Sequence, residues 1–379
     1  MKGIKICILL AVVLVGLAFS SNAQTTAVEW YKAGKTASDA AKYNEATVAY
    51  EKAIALNPKY TEALYELGWC YNDLEKYEKA ISFLNRAVAI NPKNHLAYQE
   101  IGYAYKKLKK YSEAIDALNK AIAIKPTYAM AYKQLGDVYD LKVEKLKAIE
   151  TYKKCIENDP KNENALYGIG YNYNGLEQYN EAITWLNKAI EVTPKYTSYN
   201  EIGFANYKLK QNDAAIAAYK KAIEIKNDNG TSYKGIGDVY RRNYTPAKIT
   251  DAIEYYKKAI EYNPKSGGSY YGLGWCYNEQ AKYEDGITQL KKALEIDPKM
   301  TAAYTELGYA QYMKGYNADA LATFNNGISV DSKNSLCHYY KGLVYVNQKD
   351  KTNAQKMYDA LKILDSKLAD KLLVKINAL

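Results

Sequence analysis

Histidine and arginine are scarce in this chain of 379 residues, and each scarcity narrows the range of functions. The two histidines, His95 and His338, are separated by most of the chain, so no histidine-centred catalytic relay or metal cluster can form between them. Three arginines are few for a protein that reads nucleic acid, because bidentate recognition of phosphates and bases relies on arginine. The formal charge of +10 comes from dispersed lysines and indicates solubility. We therefore predict no enzyme, no cofactor, no metal site and no nucleic-acid partner.

Long apolar segments are equally scarce, since the chain has one, at residues 6–19. It is shorter than the ~20 residues that cross a bilayer as a helix. Lys2 and Lys5 precede it, and the small residues at 21–23 follow it, which is the pattern of a cleaved export signal. We expect residues 1–23 to be removed and the protein to be exported, either to the periplasm or out of a bacterial cell. No later segment is apolar enough to span a membrane.

Proline is also rare, but its spacing is regular. Seven of the eight prolines keep a step of 34 residues, in one run of five and one pair, and Pro246 lies out of phase. Because proline cannot continue a helix, each one marks the place where one helical unit stops and the next begins. The spacing therefore predicts a repeat array. The in-phase prolines are Pro58, Pro92, Pro126, Pro160, Pro194, Pro264 and Pro298.

Glycine follows the same period within predicted helices, where it costs roughly 1 kcal/mol relative to alanine. We expect that two helix backbones approach closely there and that a β-carbon would not fit. Around Gly102, for example, Tyr98 and Tyr105 share one helical face, and Ala114 begins the small-residue face of a second helix. Two helices per period follow. The recurring glycines are Gly34, Gly68, Gly102, Gly136, Gly170, Gly203, Gly237, Gly274, Gly308 and Gly342.

These residues resemble the tetratricopeptide repeat, a helix–turn–helix unit of 34 residues. The resemblance covers about residues 27–366 and implies an all-α, right-handed superhelix of ten repeats that serves as a binding scaffold. Several repeats depart from the pattern: repeat seven has three extra residues near Pro246, repeat eight has Gly286 at an alanine site, and repeat ten has Lys341 before its glycine. We predict ten repeats at residues 24–365, with a first repeat at 27–60, three-repeat blocks at about 61–162, 163–266 and 267–365, and a capping helix at 366–379.

Four cysteines follow the predicted signal. Any two of them are separated by at least one whole repeat, whereas a disulfide needs its α-carbons within about 7 Å. We therefore expect four buried thiols that act as small apolar side chains. They are Cys70, Cys155, Cys276 and Cys337.

Tyrosine is abundant, with 41 residues against four phenylalanines. Those three residues after the glycine and those on the second helix suit half-buried structural positions. A further set matches the sites that line the groove of the family, three before, one after and four after the glycine. The resemblance implies that these residues bind a ligand, although their rings could equally pack between repeats. The set comprises Tyr31, Tyr65, Tyr167, Tyr271 and Tyr339; Trp69, Tyr103, Tyr171, Phe204, Trp275 and Tyr309; and Asn72, Asn174, Asn278 and Tyr207.

The groove sites also repeat every three units, because repeats two, five and eight share a glycine–aromatic–x–Tyr–Asn run at 68–72, 170–174 and 274–278. This pattern is either a record of duplication or a set of three similar segments that engage an elongated ligand. Our leading hypothesis is an exported, non-enzymatic scaffold that holds an extended segment of a protein partner in a bacterial envelope assembly. The alternative is a glycan or peptidoglycan binder, since aromatic faces beside asparagines also suit sugars.

Overall fold

The structure, a computed structural model, describes residues 26–242 and 248–379. The export signal predicted at residues 1–23 and most of the insertion around Pro246 lie outside the described residues. Within the two described ranges the chain forms twenty-one α-helices and no strand. The prediction of an all-α fold built from helix pairs is therefore confirmed.

The helices form two compact units, which meet in sequence between Pro160 and Lys161. The first unit contains α1 (Ala27–Asp39), α2 (Tyr43–Leu56), α3 (Thr61–Asp73), α4 (Tyr77–Ile90), α5 (His95–Lys107), α6 (Tyr111–Ile124), α7 (Ala129–Leu141) and α8 (Lys145–Asn158). The second unit contains α9 (Glu163–Gly175), α10 (Tyr179–Val192), α11 (Tyr196–Lys208), α12 (Asn212–Ile225), α13 (Gly230–Arg242), α14 (Ile249–Tyr262), α15 (Gly267–Glu279), α16 (Tyr283–Ile296), α17 (Thr301–Met313), α18 (Asn317–Val330), α19 (Ser335–Asn347), α20 (Lys351–Leu364) and α21 (Ser366–Asn377).

Each repeat consists of an odd-numbered first helix and the even-numbered second helix that follows it. Within each unit a first helix contacts its own second helix, the preceding second helix and the first helix of the next repeat. Among the described residues, second helices make no such contact with one another. The first helices therefore form an inner layer in each unit, which we call the first-helix layer, and the second helices cover it from outside.

The turns inside the repeats share one backbone conformation wherever the structure describes them. After the first helix, one residue takes a positive φ, for example Ala41 at 56° and Lys109 at 59°. The next amide then bonds back across six residues, as from Lys42 N to Ala37 O at 2.9 Å, which is the Schellman arrangement that ends helices. The second helix ends two residues before the proline, as at Leu56 before Pro58.

The recurring glycines are packing sites. A β-carbon on Gly68 would lie 2.5 Å from Leu84 Cγ and 3.3 Å from the carbonyl oxygen of Ala80. In repeats one, four, six and seven a tyrosine ring of the second helix takes the place of the leucine, as Tyr50 does against Gly34. The expected close approach is therefore real, but a side chain of the second helix fills most of the space that we had assigned to its backbone.

Two other sequence features have a structural explanation. Gly286, at an alanine site, faces Asn278, whose Oδ1 occupies the space that a β-carbon would take. At the C-terminal end, Asp365 accepts a hydrogen bond from Leu368 N at 3.1 Å and begins α21, whose Leu372 packs against Gly342. This helix covers the apolar side of α19 and α20.

The prediction for the cysteines is confirmed, because all four are buried and free. Burial raises the pKa of the Cys70 thiol to about 11 and that of the Cys276 thiol to about 12. Since the thiolate is the reactive form, these side chains are chemically inert at neutral pH.

No helix in residues 26–242 or 248–379 combines the length and the apolar character needed to cross a lipid bilayer.

Candidate functional site

The aromatic residues predicted to bind a ligand lie on first helices and are partly exposed in both units. Tyr171 on α9 is the most exposed, at 45%. It stacks on Tyr167 with ring centroids 6.1 Å apart, so two of the predicted rings form one surface. In the first unit, Tyr31 lies against Tyr50 and Tyr60 at 5.8 and 5.1 Å. Each ring therefore has one packed side and one open side. The partly exposed members are Tyr31, Tyr65, Trp69, Tyr103, Tyr167, Phe204, Tyr207, Tyr271, Trp275, Tyr309 and Tyr339.

The packed side of several of these rings joins adjacent repeats. The ring one residue after the glycine meets, edge to face, the tyrosine that begins the second helix of the preceding repeat. Trp69 meets Tyr43 at 5.6 Å in this way, and Phe204 meets Tyr179 at 6.2 Å. The same contact joins Tyr77 to Tyr103 and Tyr283 to Tyr309. Edge-to-face pairs stabilise by about 0.5–1.5 kcal/mol, so these rings support the solenoid as well as line it.

The three asparagines of the predicted set are placed differently. Asn72, Asn174 and Asn278 are only 2%, 5% and 4% exposed. Each Nδ2 donates to the backbone oxygen and to the carboxylate of one glutamate in the next repeat; from Asn72 to Glu100 the distances are 3.1 and 2.8 Å. The corresponding pairs are Asn174–Glu201 and Asn278–Glu306. These amides hold neighbouring first helices together, and their burial keeps them away from the open surface that we had expected them to line.

A pocket of about 400 Å³ opens on the first-helix layer of the second unit. Phe204 and Tyr207 of repeat six and Tyr271 of repeat eight form its aromatic walls, so it gathers three of the predicted site residues. We call it the unit-two pocket. Its remaining lining consists of Asn200, Glu201, Lys208, Tyr219, Thr231, Lys234, Gly235, Asp238, Arg241, Arg242 and Gly268.

A buried charge network forms one side of the unit-two pocket. Arg241, only 7% exposed, donates from Nε to the Tyr256 hydroxyl at 2.9 Å. That hydroxyl donates to Asp238 Oδ1 at 2.7 Å, and Lys234 Nζ binds Asp238 Oδ2 at 2.7 Å. Burial and the Asp238 carboxylate raise the pKa of Tyr256, so its hydroxyl stays protonated as a donor. The guanidinium also lies over the Tyr271 ring at 5.4 Å, which links the network to the aromatic wall.

The sequence analysis missed how second-helix tyrosines reach this pocket. Tyr219 of α12 fits between Gly203 and Gly235, because a β-carbon on either glycine would overlap its ring. Tyr256 is held in the same way between Gly237 and Gly272. The sequence did contain a pattern that predicts this arrangement. Gly235 follows Tyr219 by sixteen residues and Gly272 follows Tyr256 by the same number, and each of these glycines precedes the regular glycine by two.

The first unit carries a related cluster with a different charge balance. Asp137 corresponds to Asp238, and Tyr152 donates to its Oδ1 at 3.0 Å. Lys106 and Lys133 bind the other carboxylate oxygen at 2.8 and 2.9 Å. Lys133 corresponds to Lys234, whereas the additional cation, Lys106, comes from the preceding repeat, where the second unit has Tyr207. Asp140 stands where the second unit has Arg241.

These observations define the class of protein, an α-solenoid scaffold whose first-helix layer presents aromatic rings and ordered charges. Tetratricopeptide repeat models match the sequence over most of its length, so the chain belongs to the tetratricopeptide repeat family. The matched residues are 37–101, 102–142, 129–162, 163–196, 203–243, 255–288 and 276–315. No curated protein matches the sequence as a relative.

Solved structures give the same fold. The Cut9–Hcn1 hetero-tetramer of the APC/C is 16% identical, with a TM-score of 0.54 over 94% of this chain and 78% of that chain. A tetratricopeptide repeat protein from Parabacteroides merdae is 20% identical, with a TM-score of 0.52 over 66% of this chain and 98% of that chain. MamA is 35% identical over 42% of this chain and 93% of that chain, with a TM-score of 0.40.

Proposed function

We propose that the protein is a non-enzymatic scaffold that binds an extended segment of a protein partner along its first-helix layer. The observation that carries the proposal is the unit-two pocket, where Phe204, Tyr207 and Tyr271 converge beside a buried charge network. Rigid aromatic side chains supply contact area with little loss of conformational entropy, and burial of a few such anchors dominates binding energy. The network around Arg241 holds the wall in one conformation before a ligand arrives, which reduces the entropy lost on binding.

The half-exposed rings outside the pocket extend the surface. In the second unit they run from Tyr171 on α9 to Tyr339 on α19, which suits a ligand that is long rather than compact. The leader-like residues 1–23 support export, and we propose that the protein works in a bacterial cell envelope.

The four tryptophans of the chain provide a matched test. Trp69 and Trp275 stand one residue after the glycine, whereas Trp30 and Trp185 stand elsewhere, each with a lysine Nζ 4.0 Å above its ring. We expect Trp69→Ala with Trp275→Ala to weaken partner capture about tenfold or more. The melting temperature should fall by only a few degrees, because each ring is partly exposed and loses few contacts between repeats. Trp30→Ala with Trp185→Ala, the control, should leave capture unchanged.

Capture would be measured by cross-linking in intact cells, followed by quantitative mass spectrometry of the wild-type and variant proteins. A large fall in melting temperature for the Trp69/Trp275 variant would show that these rings are core and would contradict the proposal. Binding to isolated peptidoglycan, with no protein cross-linked in cells, would indicate that the ligand is a glycan and not a protein.

A further inference from the structure

The charges that line the unit-two pocket are unbalanced. Four cationic side chains and two carboxylates face it. One carboxylate, Asp238, is already bound by Lys234 at 2.7 Å and lies 3.6 Å from the Arg241 guanidinium. The other, Glu201, accepts a hydrogen bond from Asn174 Nδ2, and burial raises its pKa. Asp238 is therefore paired within the pocket, and the four cations outnumber the two carboxylates.

Two cations at the rim remain available. Lys208 is exposed, lies over the Phe204 ring at 5.4 Å and pairs with no carboxylate among the described residues. Arg242 is exposed as well and has no acidic partner within the same ranges. In the first unit the corresponding side chains, Lys107 and Leu141, accompany an additional acid, Asp140, so the excess of positive charge belongs to the second unit.

An unused hydroxyl lies deeper in the same pocket. Tyr219 is 5% exposed, lines the pocket and makes no hydrogen bond with any described residue. Its hydroxyl oxygen is not one of the enclosed atoms that lack a partner, so water or a ligand in the pocket can reach it. Gly235 beside it and Gly268 at the edge keep the pocket free of side chains at two further positions.

We propose that the unit-two pocket selects an acidic side chain, aspartate or glutamate, within the partner's extended segment. Its carboxylate lies between Lys208 and Arg242 and accepts a hydrogen bond from the Tyr219 hydroxyl, while its methylene groups and the flanking residue pack on Phe204 and Tyr271. The inference rests on the proposed function, because it assigns the chemistry that the peptide-binding surface prefers at one place.

The test is a selection of short random peptides, displayed on phage, against the purified protein and two charge-reversal variants. Lys208→Glu removes the rim cation. Lys107→Glu is the matched control, since Lys107 is exposed, follows its glycine by the same five residues and lies over Tyr103 at 5.5 Å. We expect the wild type and Lys107→Glu to enrich peptides with a fixed acidic position, and Lys208→Glu to lose that preference.

One enriched peptide and its counterpart with the acid replaced by the matching amide would then be titrated against the same proteins by fluorescence anisotropy. Lys208→Glu should lower the affinity for the acidic peptide by about three- to tenfold and leave the affinity for the amide peptide nearly unchanged. Tyr219→Phe removes one oxygen atom and keeps the ring between its glycines. It should lower the affinity for the acidic peptide more than the affinity for the amide peptide.

Two results would overturn the inference in distinguishable ways. Enrichment of peptides with no acidic position, or equal effects of Lys208→Glu and Lys107→Glu, would refute acidic selection and leave peptide binding intact. Enrichment of no peptide at all, from a protein whose circular dichroism is helical, would refute the proposed function as well.

Discussion

At the scale of single residues, the side chains that face the first helices explain why glycine recurs there. A β-carbon on Gly170 would lie 2.6 Å from Leu186 Cγ and 3.1 Å from the carbonyl oxygen of Ala182. Leucine can rotate away, but the carbonyl belongs to a helix and cannot. Steric overlap should therefore outweigh the gain in helix propensity from alanine, which is about 1 kcal/mol.

We expect Gly170→Ala to lower the free energy of unfolding by about 1–3 kcal/mol, measured by urea denaturation. Adding Leu186→Ala should give a double variant less destabilised than the sum of the two single changes, because the overlap with the leucine is then absent. A rise in stability, the outcome that propensity alone predicts, would show that the glycine is not needed for close packing.

The accuracy of prediction from the sequence differs between residues. The recurring prolines and glycines located the helix pairs, because proline ends a helix through its own backbone geometry and each glycine marks a close contact between two helices. Asn72, Asn174 and Asn278 were expected on an open surface, since position within a helix does not reveal that a glutamate of the next repeat reaches back to them. The role of Arg241 was equally hidden, because its partner Tyr256 lies on another helix.

At the scale of the helix pair, most of the described turns inside repeats contain a residue in a strained, left-handed conformation. Eight described residues other than glycine have a positive φ, and Val143 at 62° is the one with a β-branched side chain. It is 71% exposed, so packing contributes little to compensate the strain. In repeat nine the same position is Gly315, at 78°, where a β-carbon would meet no heavy atom within 4 Å.

We expect Val143→Gly to raise the free energy of unfolding by about 1 kcal/mol, because it relieves a left-handed conformation that L-residues disfavour. Gly315→Val, the reverse change at the equivalent turn, should lower it by a similar amount. Both would be measured by urea denaturation. If both variants lose stability, side-chain contacts of Val143 matter more than its backbone conformation.

At the scale of the whole molecule, three partly buried carboxylates at repeat junctions link stability to pH. Burial raises the pKa of Glu100, Glu201 and Glu306 above the ordinary value near 4.5, even though each accepts a hydrogen bond from an asparagine. The folded protein therefore holds these protons more tightly than the unfolded chain. Their contribution to stability falls as the pH rises from the ordinary value through the raised one, and it stays lower at neutral pH.

We expect Glu306→Gln to raise the urea midpoint at neutral pH and to flatten its dependence on pH above the ordinary glutamate value. Glu284→Gln is the control with the opposite sign, because hydrogen bonds from Tyr316 and Lys314 lower the pKa of that exposed carboxyl. Its stabilising effect is present at neutral pH and is lost as the pH falls. Equal responses of the two variants would show that burial of Glu306 does not govern its titration.

The position of Tyr256 has a consequence for how such a scaffold diverges. This residue belongs to the second-helix layer, yet its hydroxyl contacts Asp238 and Arg241 at the edge of the unit-two pocket. Replacing it with phenylalanine would remove one hydrogen bond from each of these side chains without changing any residue that lines the pocket. Mutations of buried second-helix residues would thus alter the pocket, and a survey confined to pocket-facing positions would overlook the origin of such a change.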